Sequence, residues 1–392
     1  MTRTYSAVVA GHICLDIIPG MSAVRALPAE QLFVPGRLLE IGAATISTGG
    51  VVSNTGLALH RLGIPTRLVA KVGCDPLGNI VTALVRSHGT RLADDMVVDP
   101  RATTSYSIII SLPDHDRFIM HCPGANRDFC AADVCLDRLS EAGLLHFGYP
   151  PVMRRMYEQD GRGLAELMER ARNAGLTTSL DLCYPDPASE AGQADWSAIL
   201  RAALPYVDIF TPSIEELLFM LDRRMLERLA SAGDVAEQVS PGLLTALSDG
   251  LLDFGTRIIV IKAAHRGAYL RTAPVKELEK MGRARPGDLS AWADQELWAP
   301  CFKVGVVGTT GAGDATIAGF LSAFLRGCMP AEALTAAVAV GACSVEAADA
   351  LSGIRPWTET EVRINQDWPR LPLRLEAPGW EWNSGLNLWQ HR

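Results

Sequence analysis

Gly308-Thr309-Thr310-Gly311-Ala312-Gly313-Asp314-Ala315 runs without a break into Thr316-Ile-Ala-Gly-Phe-Leu-Ser-Ala-Phe-Leu-Arg326. A glycine-rich turn feeds an apolar-periodic helix, and one carboxylate sits at the junction. The first N–H groups of a helix have no intrahelical partner, and the helix dipole adds partial positive charge there. That combination attracts an anion, and glycines let the backbone approach it closely. A carboxylate beside such a site repels the anion, so binding does not explain it. It can take a proton from an attacking hydroxyl, or it can simply cap the helix. Two better-known phosphate loops are excluded. No Lys or Arg lies between Lys303 and Arg326, so there is no G-x-x-x-x-G-K-[ST]. The glycine spacing also misses G-x-G-x-x-G.

Such a turn must hang on a scaffold. Short β-rich runs alternate with helical periodicity along the chain, the pattern of an α/β fold with a mainly parallel sheet. The runs predict strands over 6–12, 67–72, 143–147, 177–181, 207–210 and 258–262. They predict helices over 54–62, 76–88, 161–174, 214–221, 314–326 and 330–347. Two strand-like runs inside 101–122 flank Leu112-Pro-Asp-His-Asp116 and read as a β-hairpin. With parts of 13–18 and 33–47 the hairpin would make a small sheet outside the main layer. Residues 272–300 are polar and Pro/Gly-containing. The tail 356–392 holds five of the eight tryptophans and reads as mostly non-helical. Trp seeks burial, so the tail is expected to pack back on residues 1–355.

The 392 residues suffice for a large core, and 48% hydrophobic with 20% charged content fits an ordinary globular chain. A net charge of −8 disfavours nucleic acid or an anionic membrane as partner, while a local anion hole for a nucleotide stays possible. No run approaches the length of a membrane span. Nine scattered cysteines without C-x-x-C pairing read as reduced thiols of a cytoplasmic protein.

The glycine-rich run resembles the second signature of the ribokinase-like (PfkB) carbohydrate kinases. Two more matches are similar to the same family. Gly49-Gly50-Val-Val-Ser-Asn54 through Gly63, followed by Lys71-Val-Gly73-Cys-Asp75-Pro-Leu-Gly78, is like the first signature. Val8-Val-Ala-Gly11-His-Ile-Cys-Leu-Asp16 is like the opening strand. The resemblance implies a three-layer α/β sandwich with a small β-sheet lid, and ATP-dependent phosphorylation of a hydroxyl on a small sugar-like substrate. It implies Asp314 as base, with the Gly311, Ala312 and Gly313 backbone around the developing charge. Asp16, Gly49, Gly50, Asn54, Arg117 and Asn126 would face the substrate, with the bare backbone of Gly49 and Gly50 against it. Lys262, Ala264, Gly267, Thr309 and Cys343 fall on the nucleotide side. Glu216 stands at the position that holds Mg²⁺ through water, with Ser213 in place of the usual Asn. Asp181 ends a strand, and Cys183 replaces the Asn that follows it in relatives. Gly308 replaces an Asp that helps ligate K⁺ in cation-activated relatives, which puts K⁺ activation in doubt. The lid implies a homodimer. A nucleoside kinase and a non-catalytic sugar or nucleotide sensor share the motifs and remain alternatives. A Rossmann dehydrogenase is disfavoured, because the first βα unit lacks its fingerprint.

Overall fold

The computed structural model describes residues 6–21, 34–111, 118–139 and 141–392. Ala7–Gly11 reads AVVAG and every side chain is buried. A continuous apolar run suits a strand covered on both faces. Successive side chains of a strand point to opposite faces. Ala7 and Val9 accordingly enter one core, and Val8 and Ala10 enter the other. Ile258–Lys262 divides the same way, with Ile258 and Val260 on the first side and Ile259 and Ile261 on the second. Helices Val51–Arg61, Ala312–Leu325 and Pro330–Ser344 cover the first face. Arg154–Asn173, Trp196–Ala203, Ile214–Leu221 and Pro241–Asp253 cover the second. The result is three layers with the sheet in the middle.

Among the described residues the main sheet has ten strands. Thr66–Val69, Ala7–Gly11, Leu144–Gly148, Thr177–Asp181, Ile209–Phe210 and Ile258–Lys262 run parallel in that spatial order. Ala268–Thr272, Glu296–Ala299, Leu388–His391 and Trp380–Asn383 then continue it antiparallel. The region 272–300 therefore supplies sheet as well as the short helices Val275–Leu278 and Leu289–Trp292. The tail adds the helix Trp357–Ile364 and the last hairpin. Trp380 lies 6.2 Å from Tyr269 and 6.4 Å from Trp298, ring centre to ring centre. Trp368 stacks on Phe302 at 4.1 Å, with the Arg363 guanidinium over its face. No helix among the described residues is long and apolar enough to cross a membrane.

Four strands make the second, smaller sheet, in the order Gly42–Gly49, Cys14–Gly20, Tyr106–Ile110, Phe118–Cys122. The last two form the antiparallel hairpin, with Ile109 opposite Ile119. Of the span 33–47, parts of which were expected here, Gly42–Gly49 supplies the strand and 34–41 carry none. Other boundaries moved for local reasons. The strand expected over 67–72 is two: Lys71–Gly73 leaves the main sheet and pairs with Val97–Asp99. The segment before 161 is helical too, but Gln159, Asp160 and Gly161 take left-handed φ of 52°, 53° and 76° and break it. A regular helix resumes after that break, next to the predicted start.

Candidate active site

Ligands of open α/β sheets bind beyond the carboxyl ends of the parallel strands. At that edge stand His12, Tyr149, Asp181, Ser213 and Lys262, each at or just past the end of a different strand. The helix Ala312–Leu325 points its first turn into the same place. Three cavities meet there. One of about 880 Å³ lies against the small sheet and is lined by His12, Asp16, Asn54, Arg127 and Tyr149 among others. One of about 450 Å³ is mostly apolar and is lined by Ala264, Gly267, Val338, Gly341, Ala342 and Val345 among others. A smaller one between them, about 290 Å³, is walled by Asp181, Glu216, Lys262, Gly313 and Asp314 among others.

Asp314 is 4% exposed and sits where these spaces join. Its Oδ1 accepts from Thr55 Oγ1 at 2.9 Å. Its Oδ2 accepts from Asn54 Nδ2 at 3.1 Å and from the Tyr149 hydroxyl at 2.8 Å. Burial pushes its pKa above the usual carboxylate value, and the Tyr149 bond, Lys262, Asn54 and Thr55 pull the other way. An ionised carboxylate has about four acceptor sites. Three donors fill three of them, so one lone pair, on Oδ1, stays open.

Lys262 Nζ lies 2.7 Å from Asp181 Oδ1 and 4.0 Å from Glu216 Oε2. Burial opposes its charge, but Asp181 and then Glu216 outweigh that and hold the ammonium above its ordinary value. Glu216 is the N3 residue of a capping box: Ser213 N–H donates to its Oε2 at 2.7 Å, and Ser213 Oγ accepts from its N–H at 3.2 Å. Asp181 and Glu216 thus flank one ammonium, and Asp314 lies on the wall of the same cavity. The surplus negative charge, on hard oxygen donors, fits Mg²⁺.

A profile of the family described as pfkB family carbohydrate kinase matches residues 20–356. The chain belongs to the PfkB family of carbohydrate kinases. Among PfkB relatives, it is 23% identical to fructokinase-2 of Oryza sativa subsp. japonica over 319 residues, covering 79% of this chain and 77% of that one. It is 24% identical to 2-dehydro-3-deoxygalactonokinase of Haloferax volcanii over 336 residues, covering 83% and 87%. Solved structures share its fold. Xylella fastidiosa fructokinase with bound ATP superimposes with a TM-score of 0.66 at 20% identity, covering 92% of this chain and 98% of that one. Arabidopsis thaliana ribokinase complexed with ribose and ATP gives 0.66 at 18%, covering 93% and 100%.

The residues singled out in the PfkB signatures fall into place unevenly. Asp16, Gly50 and Asn54 line the large cavity. A Cβ on Gly49 would lie 2.2 Å from Asp16 Oδ2, and one on Gly50 (φ 89°) 2.4 Å from His12 Nδ1. The Asp16 and His12 side chains thus lie directly over these two glycines, and Gly50 still borders the cavity. Ala264, Gly267 and Thr309 line the apolar cavity. Lys262 touches that cavity too, but its ammonium lies beside Gly313 on the wall of the smallest cavity. The Ala312 amide, expected to face an anion, donates to Thr309 O at 3.2 Å.

Two expectations are corrected. Asn126 is fully buried and does not face the cavity. Its Nδ2 donates to Ile13 O at 2.8 Å, and its Oδ1 accepts from Ile13 N at 3.3 Å. Cys343 does not line the apolar cavity. Val338, Gly341, Ala342 and Val345 share the helix face at i, i+3, i+4 and i+7 that borders the cavity. Cys343 turns about 100° further round, where its sulfur accepts from Arg363 Nη1 at 3.4 Å. Arg117 lies outside the described residues. Tyr149, Thr55 and His12 were missed. Gly148-Tyr149-Pro150-Pro151 after a strand is a turn signal, and Tyr149 indeed takes a left-handed φ of 67°.

Proposed function

We propose that this PfkB kinase transfers the γ-phosphoryl group of ATP to a hydroxyl of a small sugar or sugar-derived alcohol. The observation that carries the reading is Asp314: buried, held by three donors, with one lone pair open where the cavities join. The acceptor hydroxyl donates to that lone pair, attacks in line, and loses its proton to Asp314 as the P–O bond forms. A raised carboxyl pKa makes it a better base near neutral pH. Asp16 accepts hydrogen bonds from substrate hydroxyls. The apolar cavity takes the adenine, whose flat ring suits small side chains. Lys262, released from Asp181, neutralises charge on the transferring group, and the Gly313 amide adds a donor at the helix start. Asp181 and Glu216 would hold Mg²⁺, largely through water. Mg²⁺ shields the phosphate charge when bound.

The large cavity exceeds what one monosaccharide fills, so nucleosides stay a second acceptor class. A screen of ADP release with Mg-ATP against sugars, sugar acids, polyols and nucleosides, with and without K⁺, tests the reading. One strong hit supports it and names the class. Silence across the panel with ATP still binding by calorimetry sinks catalysis in favour of a sensor.

One face of the small sheet also exposes Ile46 on one edge strand and Phe118 and Met120 on the other. A second copy placed there covers them, and a two-fold dimer is the reading we adopt. Light scattering should give a dimer mass that Met120→Arg reduces to a monomer. We place the protein in the cytoplasm, in keeping with its nine free cysteines.

A further inference from the structure

We propose that His12, Cys14 and His121 form a binding site for a borderline-soft divalent cation of the zinc class, in the wall of the large cavity. None of the phosphoryl-transfer chemistry above uses these three side chains. One ligand atom from each lies within 4.8 Å of the other two. His12 Nε2 and His121 Nε2 are 3.3 Å apart. Two nitrogens each about 2.0–2.1 Å from a tetrahedral zinc ion stand about 3.3–3.4 Å from each other. The imidazoles already have that separation, and a small movement of the thiol completes three ligands.

The surroundings fit the same ligand set. His121 Nδ1 lies 3.1 Å from Ser107 Oγ. A hydrogen bond at the far nitrogen is what orients a metal-bound imidazole and leaves its other lone pair free. Ser107 Oγ also reaches Cys14 Sγ at 3.7 Å, so one hydroxyl braces two of the three ligands. His12 Nδ1 is buried with no partner, and the ring's other nitrogen, Nε2, meets only His121 Nε2. A cation between the two Nε2 atoms would replace that contact with two metal–nitrogen bonds. Burial disfavours the charged form of both imidazoles, His121 adding to the effect on His12. The Cys14 thiol is held protonated by burial and by Asp16, 3.2 Å away, and a bound cation reverses that balance.

Donor softness separates this site from the phosphate end. Two nitrogens and a sulfur select zinc-class ions, whereas the Asp181 and Glu216 oxygens select Mg²⁺. His12, Cys14 and His121 line the same cavity as Asp16, Asn54 and Asp314. A cation held there therefore excludes the acceptor and leaves the nucleotide cavity alone. That consequence rests on the acceptor reading above, while the site itself does not.

The test is titration of the full chain with Co²⁺ and Zn²⁺, with no substrate present, so a failed kinase assay cannot be confused with a failed metal site. One Co²⁺ per chain with a thiolate charge-transfer band is expected, displaced by Zn²⁺. Cys14→Ser and His121→Ala should each abolish the band, with folding checked by circular dichroism. Cys74→Ser and Cys135→Ser, at exposed thiols, should leave it intact. Ser107→Ala keeps all three ligands and should weaken binding about 10–100-fold. No thiolate band, or a band indifferent to Cys14→Ser, overturns the proposal.

Discussion

Asp314→Asn keeps the size of the side chain and removes its ability to take a proton. Turnover should fall by about 10²–10⁴-fold. ATP affinity by calorimetry should not change. Turnover close to the parent's would remove Asp314 from the role of base. Tyr149→Phe asks a finer question. Its hydroxyl stabilises the Asp314 carboxylate, so its loss raises the Asp314 pKa further. A base must be ionised to work, so the acidic limb of kcat/KM should move to higher pH, by about one unit for one hydrogen bond to a charged group. A limb that stays in place would mean another group sets it. At this scale Asp314 was legible because a glycine turn opening a helix is a local pattern. Tyr149 was not, because a hydrogen bond spanning 165 residues leaves no local trace. Asn126 and Cys343 were misread for a related reason: sequence gives the neighbourhood of a side chain but not the direction it points.

The small sheet depends on how its first strand is anchored. Asn126 holds both polar backbone groups of Ile13, just before Cys14–Gly20 begins. Asn126→Ala removes both bonds and leaves buried groups unpaired, which should cost about 1–3 kcal/mol in urea denaturation. Because Asp16 lies on that strand, KM for the acceptor should rise while KM for ATP holds. A variant with parent stability would contradict the clamp. The regular elements were legible where apolar periodicity was long, as in Pro330–Ser344. The break at Glu158–Gly161 was not: its left-handed run opens at Gln159, a type that rarely takes that conformation.

Across the molecule, the sheet joins the signature motifs to the tail. Trp380 is 8% exposed and packs on Tyr269 and Trp298, beneath the second layer of helices. Trp380→Ala should destabilise the whole chain by about 3–5 kcal/mol, in one cooperative transition seen alike by circular dichroism and tryptophan fluorescence. A separate early transition would instead make the tail an independent unit. The tryptophan count showed that the tail needed burial. It did not show that the tail would do so as sheet, because strand pairing with Glu296–Ala299 is a long-range property. The division of the interior has a further result. Val8 and Val9 are neighbours in the chain but belong to different interiors. A change of volume at one is answered by a set of partners that the other never meets. Over evolutionary time the two sides of this sheet can therefore drift on separate clocks, and only the rim where both end, around Asp314 and Tyr149, has to keep time with both.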